Sequence, residues 1–370
     1  MKVLHVYRTC YPETSGGVEQ VIRSITEGCI AHGVESKVLT LADESKDDYK
    51  QNNVTIVTVK KSFQVASNGF SFQLISRFRE LAKWADVIHF HYPWPTGDLL
   101  GFFLNKPSIV TYHSDIIRQK FLKVLYRPLE LNFLDKVDKL IATSPQYATS
   151  SNNLSRFKNK VEVIPLGIDE SHYKQPSNSI LRKWKEKVGE QFFLFIGVLR
   201  YYKGLDHLLE AASLSKLPIV IAGKGPMEKQ LHAKAKSLGL KNVVFVGFIS
   251  EDDKVALLTL CKAFVFSSHL RSEAFGVSLL EAQLFGKPLI SCEVGTGSSY
   301  VNQHQKTGLI VEPANPLALA NALKEMNENP KLAEQYGQKS YERFKRLFTN
   351  KQQCEQYFQI YRGLGEKNSN

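Results

Sequence analysis

The chain has 370 residues, 43% hydrophobic and 11% aromatic, which suits two packed domains and excludes a disordered chain. Its five cysteines are odd in number, dispersed and without metal-ligand spacing, which excludes a disulfide scaffold and indicates reduced thiols. Lysine and arginine outnumber the acids by 48 to 36, and the net charge of +12 makes nucleic acid, an anionic membrane or an anionic substrate the candidate partners.

The N-terminal stretch Met1–Arg8 is too short and too polar to form the core of a signal peptide. No stretch approaches the ~18 consecutive apolar residues that a membrane-spanning helix needs. We therefore expect a cytoplasmic protein.

Short apolar runs alternate with helical patterns along the first half, which predicts parallel βαβ units. The runs are rich in Val, Ile and Leu, as strands buried on both faces are. The predicted strands are Lys2–Tyr7, Ser36–Leu41, Val54–Val59, Val87–His91, Ser108–Tyr112, Lys139–Thr143 and Val161–Ile164, and the first helix is predicted from Val18 to about Ala31.

The second half repeats this pattern. Its predicted strands are Phe192–Gly197, Ile219–Ala222, Val243–Val246, Ala263–Phe266, Pro288–Ser291 and Gly308–Val311, with helices at Gly204–Ser213, Pro226–Leu238 and Phe275–Phe285. The string Pro165–Asp169 and the polar stretch Gln175–Ser179 between the halves indicate a hinge.

We therefore predict an α/β protein of two doubly wound, Rossmann-like domains that face a central cleft. The N-terminal domain is predicted at residues 1–175 and the C-terminal domain at 176–351. Residues 352–370 are predicted to hold a helix, at about Gln352–Leu364, that crosses back to the first domain. Ligands of open parallel sheets bind at the carboxyl ends of the strands, so the cleft is the expected site, and the domains are expected to close around the ligand.

The first motif is Gly16-Gly17, which follows the first predicted strand and opens the first predicted helix. Two glycines let backbone N–H groups approach an anion, and a helix N-terminus adds a partial positive charge. An ordinary tight turn is the alternative. No G-x-G-x-x-G fingerprint stands here, which argues against a dinucleotide site.

The second motif contains two carboxylates, Glu273 and Glu281, within the string Glu273–Ala282. If a helix begins near Phe275, Glu273 precedes its N-terminus and Glu281 lies about two turns further along. Glu273 can then lie beside free N–H groups that suit a diphosphate, and Glu281 can accept a sugar hydroxyl. Simple helix capping is the alternative for Glu273.

The string Glu273–Ala282 resembles the E-x7-E motif of retaining glycosyltransferases with the GT-B fold, the group called family 4. Further motifs follow in the family's order over nearly the whole chain. They are Gly16–Glu19, Val87–Pro93, Thr111–Asp115, Val163–Asp169, Gly197–Gly204, Ile221–Pro226 and Val246–Phe248. The resemblance implies an enzyme that transfers a sugar from a nucleotide donor held by the second domain.

In this family, Arg and Lys of a second-domain glycine loop bind the donor diphosphate, and the resemblance gives that role to Arg200 and Lys203. Fixed cations stabilise the charge on a departing nucleoside diphosphate. Many members have Arg directly after the first glycine, where this chain has Val198. Whether Arg200 replaces it stays open, so Lys203 is the firmer assignment.

The resemblance also implies contacts to the sugar, the ribose and the base. His113 is expected to contact the transferred sugar, Glu273 to bind its hydroxyls, and Glu281 to bind the ribose hydroxyls. The other donor-binding residues that it implies are Gly16, Gly17, Gly223, Phe248, Phe275, Gly276 and Val277. Gly276 and Val277 would offer backbone N–H groups, and Phe248 would meet the base. A structural role is the alternative for His113, and we assign no function to His89 or His91.

No metal site is predicted, because the sequence has no Asp-x-Asp and no histidines at ligand spacing on one helix. Arg, Lys and helix dipoles can replace a divalent cation. The resemblance therefore implies metal-independent chemistry without a cofactor. It also implies same-face attack, in which the leaving phosphate accepts the acceptor's proton.

Two basic stretches of the first domain, Ser62–Lys83 and Ile116–Arg127, place large apolar residues among their cations. They fit an anionic leaflet, at about 1 kcal/mol per basic residue near the surface, and a solvated helix over its own core is the alternative. We expect a peripheral enzyme on the cytoplasmic face of the inner membrane with a lipid-linked acceptor. No nucleic-acid partner is predicted, because no helix-turn-helix, zinc-finger or RNP signature is present.

The strings His91–Leu100 and Gly295–Asn302 resemble members that use GDP-mannose or a related GDP-deoxyhexose. We therefore predict transfer of mannose from GDP-mannose to a lipid-linked saccharide in O-antigen, lipopolysaccharide or capsule assembly. A UDP-sugar donor is one alternative, and a non-catalytic nucleotide-sugar-binding scaffold is another. The joint presence of His113, Lys203 and both glutamates favours the enzyme.

Overall fold

The computed structural model describes residues 1–14, 16–44, 47–65, 68–116 and 120–367. The chain divides into two compact units: unit 1 is Met1–Gly167 with the segment from Asn350 onward, and unit 2 is Ile168–Thr349. The first division therefore falls inside the Pro165–Asp169 string, before the predicted boundary at residue 175. The segment from Asn350 belongs to unit 1. The cleft and its closure stay predictions.

Sixteen strands and fifteen α-helices are formed by the described residues. The strands are β1 Lys2–Val6, β2 Glu35–Ala42, β3 Tyr49–Gln51, β4 Val54–Lys60, β5 Phe63–Val65, β6 Asn68–Phe70, β7 Val87–Tyr92, β8 Ser108–Tyr112, β9 Lys139–Ala142, β10 Val161–Val163, β11 Phe193–Ile196, β12 Ile219–Ala222, β13 Val243–Gly247, β14 Ala263–Phe266, β15 Leu289–Cys292 and β16 Gly308–Val311. The helices are α1 Gly17–Gly28, α2 Leu74–Trp84, α3 Pro95–Asp98, α4 Lys120–Lys136, α5 Pro145–Ser150, α6 Asn152–Arg156, α7 Asn178–Val188, α8 Leu205–Ser215, α9 Glu228–Ser237, α10 Glu251–Leu260, α11 Val277–Leu284, α12 Ser298–Val301, α13 Pro316–Glu328, α14 Pro330–Leu347 and α15 Asn350–Lys367.

An eight-stranded sheet in the order β10-β9-β8-β7-β1-β2-β4-β3 forms the centre of unit 1. All its pairings are parallel except that of β3 with β4. Every residue of β7 and β8 is buried, as expected for strands covered on both faces, and the buried residues of β7 include His89 and His91. The strand order reverses at β1, between β2 and β7, and the carboxyl ends at such a reversal form the ligand crevice of an open sheet.

The C-terminal helix α15 packs on α1 and covers the buried polar residues of the sheet in unit 1. The hydroxyl of Tyr361 lies 2.7 Å from Nδ1 of His89, and the hydroxyl of Tyr357 lies 2.8 Å from Oγ1 of Thr111. Both tyrosines are fully buried. The helix is thus part of the core of unit 1 and supplies hydrogen bonds that the sheet would otherwise lack.

A six-stranded parallel sheet in the order β13-β12-β11-β14-β15-β16 forms the centre of unit 2. Counted within the unit, this is the order 3-2-1-4-5-6 of a Rossmann fold. Its core is apolar on both faces of the sheet, with Phe193, Phe195, Leu209 and Val265 fully buried. The topological switch point lies between β11 and β14, so the loops after these two strands form the expected binding crevice.

The two basic stretches take different forms in unit 1. Ser62–Lys83 contains the antiparallel pair β5 and β6, which we call the β5–β6 hairpin, and most of α2, while residues 66 and 67 lie outside the described residues. In the stretch Ile116–Arg127, residues 117–119 lie outside the described residues, and α4 begins at Lys120. In the part of the chain that the structure describes, no helix combines the length and apolar character needed to cross a bilayer.

Candidate functional site

The loops after β11 and β14 meet at the switch point of unit 2. Gly204 follows the β11 loop with φ +66°, and a Cβ there would lie 2.0 Å from the carbonyl oxygen of Ser267, directly after β14. Ser267 in turn donates its hydroxyl to the carbonyl of Lys203 at 2.8 Å. Only glycine permits this approach. The two loops are therefore held together at the position where a ligand of this sheet type binds.

Lys203 and Glu273, both predicted site residues, form an ion pair at this junction. Nζ of Lys203 lies 2.5 Å from Oε2 of Glu273, and the hydroxyl of Ser268 donates to the same oxygen at 2.9 Å. The side chains of the pair are only 12% and 11% exposed. Thr296 donates its hydroxyl to the backbone carbonyl of Glu273 at 2.6 Å, and this hydrogen bond holds the loop around Glu273 in place. The structure thus brings a cation and a carboxylate into one small polar site.

The N-terminus of α11 directly follows this site. Gly276 precedes the helix with φ +92°, and a Cβ there would lie 2.7 Å from the ring of Phe266. The helix begins at Val277, and no side chain caps it. The N–H of Leu279 donates to the carbonyl of Gly276 at 2.9 Å. The N–H groups of Val277 and Ser278, the first two of the helix, have no partner within it, so they can donate to an anion. Phe275 is buried with 3% exposure, so its ring serves packing.

Glu281, the second carboxylate of the E-x7-E string, lies within α11 and is held by two side chains that the sequence analysis did not identify. Nζ of Lys254 lies 2.6 Å from its Oε1, and Tyr173 donates its hydroxyl to the same oxygen at 2.8 Å. Burial lowers the pKa of Lys254, but Glu281 and Glu251 outweigh burial and the net pKa is raised. Burial, followed by the charge of Glu281, raises the pKa of Tyr173. Glu281 is thus an anchored carboxylate, and within the described residues its other oxygen, Oε2, makes no hydrogen bond and can accept one from a hydroxyl.

Of the remaining predicted residues of unit 2, Arg200 and Phe248 are exposed, and Gly223 offers only its backbone. Arg200 is exposed, and within the described residues its guanidinium makes no hydrogen bond or ion pair. Val198, at the position of the family's Arg, is 50% exposed, and Phe248 is 79% exposed. The backbone of Gly223 donates to the carbonyl of Gly247 at 2.7 Å. Arg200 is thus a cation that no group of the described chain neutralises.

Gly16 and Gly17 form the entry to α1 in unit 1, as predicted. A Cβ on Gly16 would lie 2.3 Å from Oε2 of Glu19, whereas a Cβ on Gly17 would meet no atom within 4 Å. The carboxylate of Glu19 also accepts the hydroxyls of Thr9 and Thr14 at 2.8 and 2.9 Å. Gly16 is therefore explained by its own helix, while the part of the chain that the structure describes gives no reason for a glycine at position 17.

His113 follows β8 and ends a chain of three histidines in unit 1. Its Nε2 lies 3.0 Å from Nδ1 of His91, and Nε2 of His91 lies 3.1 Å from Nδ1 of His5. His5 and His91 are at most 1% exposed and His113 is 7% exposed. Burial lowers the pKa of His5 and of His113 to about 3, so both rings are neutral at neutral pH.

An overlapping set, His5, His89 and His91, is the one group within the described residues whose spacing would suit a metal ion. One nitrogen each of His5, His89 and His91 lies within 4.8 Å of the others. However, both nitrogens of His89 are bonded, to Tyr361 and to Thr111, and both nitrogens of His91 are bonded to histidines. Only Nε2 of His5 has no partner. Five of the six ring nitrogens are therefore already hydrogen-bonded, and we assign no metal to these rings.

Comparison with known proteins identifies the class. Residues 15–172 match the model described as Glycosyltransferase Family 4, and residues 177–343 match the model described as Glycosyl transferases group 1. The chain is 48% identical to D-rhamnosyltransferase WbpZ of Pseudomonas aeruginosa over 94% of this chain and 92% of that protein. It is 42% identical to O-antigen chain mannosyltransferase C of Escherichia coli over the full length of both.

The protein is therefore a glycosyltransferase, and the chain belongs to glycosyltransferase family 4, which confirms the predicted family and enzyme class. Solved structures confirm the predicted GT-B fold. Sucrose-phosphate synthase of Thermosynechococcus elongatus and Anabaena HepE in complex with UDP both superpose with a TM-score of 0.80 at 20% identity. Each comparison covers 98% of this chain, with 98% and 100% of the other.

Proposed function

We propose that this glycosyltransferase moves mannose from GDP-mannose to a lipid-linked saccharide during assembly of a cell-surface polysaccharide of the O-antigen type. The observation that carries the proposal is the polar site at the switch point, where Lys203, Glu273 and the uncapped N-terminus of α11 adjoin. The full-length likeness to O-antigen chain mannosyltransferase C supports mannose and the O-antigen pathway.

Each site residue has a distinct task in this proposal. Lys203, Arg200 and the first N–H groups of α11 bind the diphosphate and stabilise its charge as it leaves. Glu273 binds hydroxyls of the mannose, and Glu281, held by Lys254, binds the ribose hydroxyls. Lys203 is then shared between Glu273 and the diphosphate.

The proposed reaction retains the configuration of the sugar. A bond forms between the acceptor hydroxyl oxygen and the anomeric carbon, on the face from which the diphosphate departs. The bond from that carbon to the phosphate oxygen breaks, and the acceptor's proton passes to the same phosphate oxygen. No electrons are exchanged with a cofactor, and cationic side chains and the helix dipole supply the positive charge that a metal ion would otherwise supply.

A second candidate donor follows from the likeness of 48% to a D-rhamnosyltransferase. D-Rhamnose is mannose without the oxygen at carbon 6, so a GDP-deoxyhexose would place the same diphosphate and the same hydroxyls at carbons 2 to 4 in the site. We rank it second because the match to the mannosyltransferase extends over the whole of both chains.

Binding and turnover together test the proposal. Calorimetric titration with GDP, UDP, ADP and TDP, with EDTA present, should show preferential binding of GDP. The enzyme should then slowly hydrolyse GDP-mannose that is labelled with ¹³C at the anomeric carbon. The NMR signal of that carbon should show that the mannose first released has the same anomeric configuration as the donor.

Lys203→Ala should weaken GDP binding by tenfold or more, as loss of a charge-assisted hydrogen bond predicts. Lys185→Ala, a change to an exposed lysine of unit 2, is the matched control. Preference for UDP would overturn the mannose proposal and keep the enzyme. Binding of GDP without any turnover, unchanged in Glu273→Ala, would favour the scaffold.

We propose in addition that the acceptor is presented at an anionic membrane surface. The observation behind this is a group of exposed apolar side chains in unit 1, among them Phe72 at 83% and Leu125 at 82% exposure. Single exposed apolar residues are ordinary, but the rings of Phe63 and Phe72 lie 6.1 Å apart between centroids and form a local exposed patch, which on a strongly basic chain indicates a contact surface.

A further inference from the structure

The three histidines His5, His91 and His113 form a chain that crosses three neighbouring strands. His5 lies on β1, His91 on β7, and His113 directly after β8. The rings of His5 and His91 are stacked at 5.4 Å between centroids, and those of His91 and His113 at 5.3 Å. Neighbouring parallel strands therefore hold the three imidazoles in fixed order and orientation.

The hydrogen bonds allow only two arrangements of protons along this chain. Burial keeps all three rings neutral, so each carries one proton. His91 can donate a hydrogen bond through one of its ring nitrogens only and must accept one through the other. Either every ring carries its proton on Nδ1 and donates toward His113, or every ring carries it on Nε2 and donates toward His5.

The two ends of the chain decide between these arrangements. Nε2 of His5 is buried and has no hydrogen-bond partner. An unpaired buried N–H is rarer in proteins than an unpaired buried acceptor, which disfavours a proton at this end. At the other end, His113 has the greatest exposure of the three rings, so its Nδ1 can meet water or a ligand in either state.

We propose that His5 and His91 are positioning residues that hold His113 in the tautomer with its proton on Nδ1, so that His113 presents an N–H donor to the donor sugar. This rests on the proposed function and on the contact between His113 and the transferred sugar that the family resemblance implies. The two residues act through His113 and have no contact with substrate themselves. His5 thereby contributes to the site although it is fully buried.

His89 shows that burial in this cluster is not sufficient for such a role. It is fully buried and stacks on His91 at 4.2 Å between ring centroids. Its two ring nitrogens, however, are hydrogen-bonded to Tyr361 and Thr111, and neither is bonded to one of the other three histidines. The hydrogen bonds of His89 therefore connect it to α15 and β8 and not to His113. A change to a hydrogen-bond partner of His89 is the internal control for this inference.

Nitrogen NMR of ¹⁵N-histidine-labelled protein tests the tautomer directly, because protonated and unprotonated ring nitrogens have well-separated shifts. In the wild type, Nδ1 of His113 should show the protonated shift with a bound hydrogen, and Nε2 the unprotonated shift. His5→Phe removes the first donor and keeps a ring in place, so a large share of His113 should move its proton to Nε2. His5→Asn places an amide nitrogen near the former Nδ1 and should restore the wild-type tautomer.

Turnover of the nucleotide sugar gives a second readout. We expect kcat to fall about tenfold in His5→Phe with KM little changed, as partial loss of one transition-state donor predicts. His5→Asn should recover to within about twofold. Thr111→Val, which breaks the bonds of Thr111 to His89 and Tyr357, is the matched control and should leave the His113 tautomer unchanged.

The outcomes separate this inference from the proposed function. A wild-type His113 with its proton on Nε2 overturns the inference, even if no variant folds. An unchanged tautomer in His5→Phe overturns it as well. If the tautomers behave as expected but the wild type turns over no nucleotide sugar, the proposed function is wrong and the coupling of the three rings is supported.

Discussion

The two carboxylates of the E-x7-E string are each held by a lysine that is almost buried. Lys203 and Glu273 are 12% and 11% exposed, and Lys254 and Glu281 have the same exposures. When one partner of a buried pair is removed, the other charge is left desolvated, which is the destabilising part of such a change. Substitution of either glutamate therefore changes stability as well as binding, and the two effects need separate measurement.

Glu281→Gln should lower the free energy of unfolding of unit 2 by about 2 kcal/mol, because Lys254 keeps only Glu251 as a charged partner. Urea unfolding followed by the fluorescence of Trp184, which is buried in unit 2, measures this. Lys185→Met breaks an exposed pair with Glu190 and should change stability by less than about 1 kcal/mol. Equal losses in the two variants would show that the Glu281 pair is solvated.

The buried histidines should make unit 1 sensitive to acid. Burial lowers the pKa of His5 and His113 to about 3, and burial with neighbouring histidines holds the pKa of His89 and His91 well below 6.5. Between about pH 6.5 and 3 the unfolded chain therefore binds protons that the native state does not. Stability is complete above pH 6.5 and falls as the pH falls, by up to about 1.4 kcal/mol per unit for each histidine.

Hydrogen exchange between pH 7 and 5, corrected for intrinsic rates, checks this within one molecule. Amides of β7, which contains His89 and His91, and of β8, which His113 directly follows, should lose protection as the pH falls. Amides of β11 and β14, which neither contain nor directly precede a histidine, should lose much less. His172→Asn, at an exposed position, should leave the difference intact. A parallel loss in both units would contradict the assignment to the histidine cluster.

At the scale of elements, the helices α1 and α11 each have a glycine at their start, Gly17 and Gly276, and the two glycines are needed for different reasons. Gly276→Ala places a side chain at φ +92° against Phe266 and should destabilise unit 2 by about 2 kcal/mol. Gly17→Ala adds a Cβ where no atom lies within 4 Å, so stability should change by less than about 0.5 kcal/mol.

If a ligand nevertheless approaches the start of α1, Gly17→Ala should lower kcat/KM at unchanged stability. Thermal unfolding and turnover of the same preparations measure both quantities. Unchanged turnover would leave Gly16-Gly17 as an ordinary turn, which is the alternative that the sequence left open.

The sequence predicted the buried parallel strands well, because their Val, Ile and Leu runs follow from burial on both faces. Strands β8, β12, β14 and β16 have the bounds that were predicted. The hairpin of β5 and β6 was missed because each strand is three residues long and lies outside this layer.

The partners of the site were also missed, for a different reason. Lys254 reads as an ordinary surface lysine in an acidic helix start, and Tyr173 lies more than a hundred residues before Glu281 in the chain. His5, His91 and His113 are likewise distant in sequence and meet only through the order of the strands. Such contacts depend on topology, which a motif does not encode.

At the scale of the whole molecule, the net charge of +12 and an exposed apolar region of unit 1 both favour the proposal that the protein binds a membrane surface. Phe63 stacks on Phe70 at 4.9 Å in the β5–β6 hairpin and lies 6.1 Å from Phe72. Helix α3 contacts both β6 and α4, the helix that carries the exposed Leu125. A surface that is both apolar and part of a basic chain should prefer anionic lipid over neutral lipid.

Vesicle sedimentation tests this preference. The wild type should bind phosphatidylglycerol vesicles more strongly than phosphatidylcholine vesicles, and binding should weaken as salt rises, because salt screens the attraction. Phe72→Ser combined with Leu125→Ser should weaken binding at least about tenfold, since burial of each side chain in lipid contributes about 1.5–3 kcal/mol. Leu317→Ser, at a position 60% exposed in unit 2, is the matched control and should bind as the wild type does. Equal binding by the double variant and the control would place the membrane contact elsewhere, and equal binding to both lipids would remove charge from the explanation.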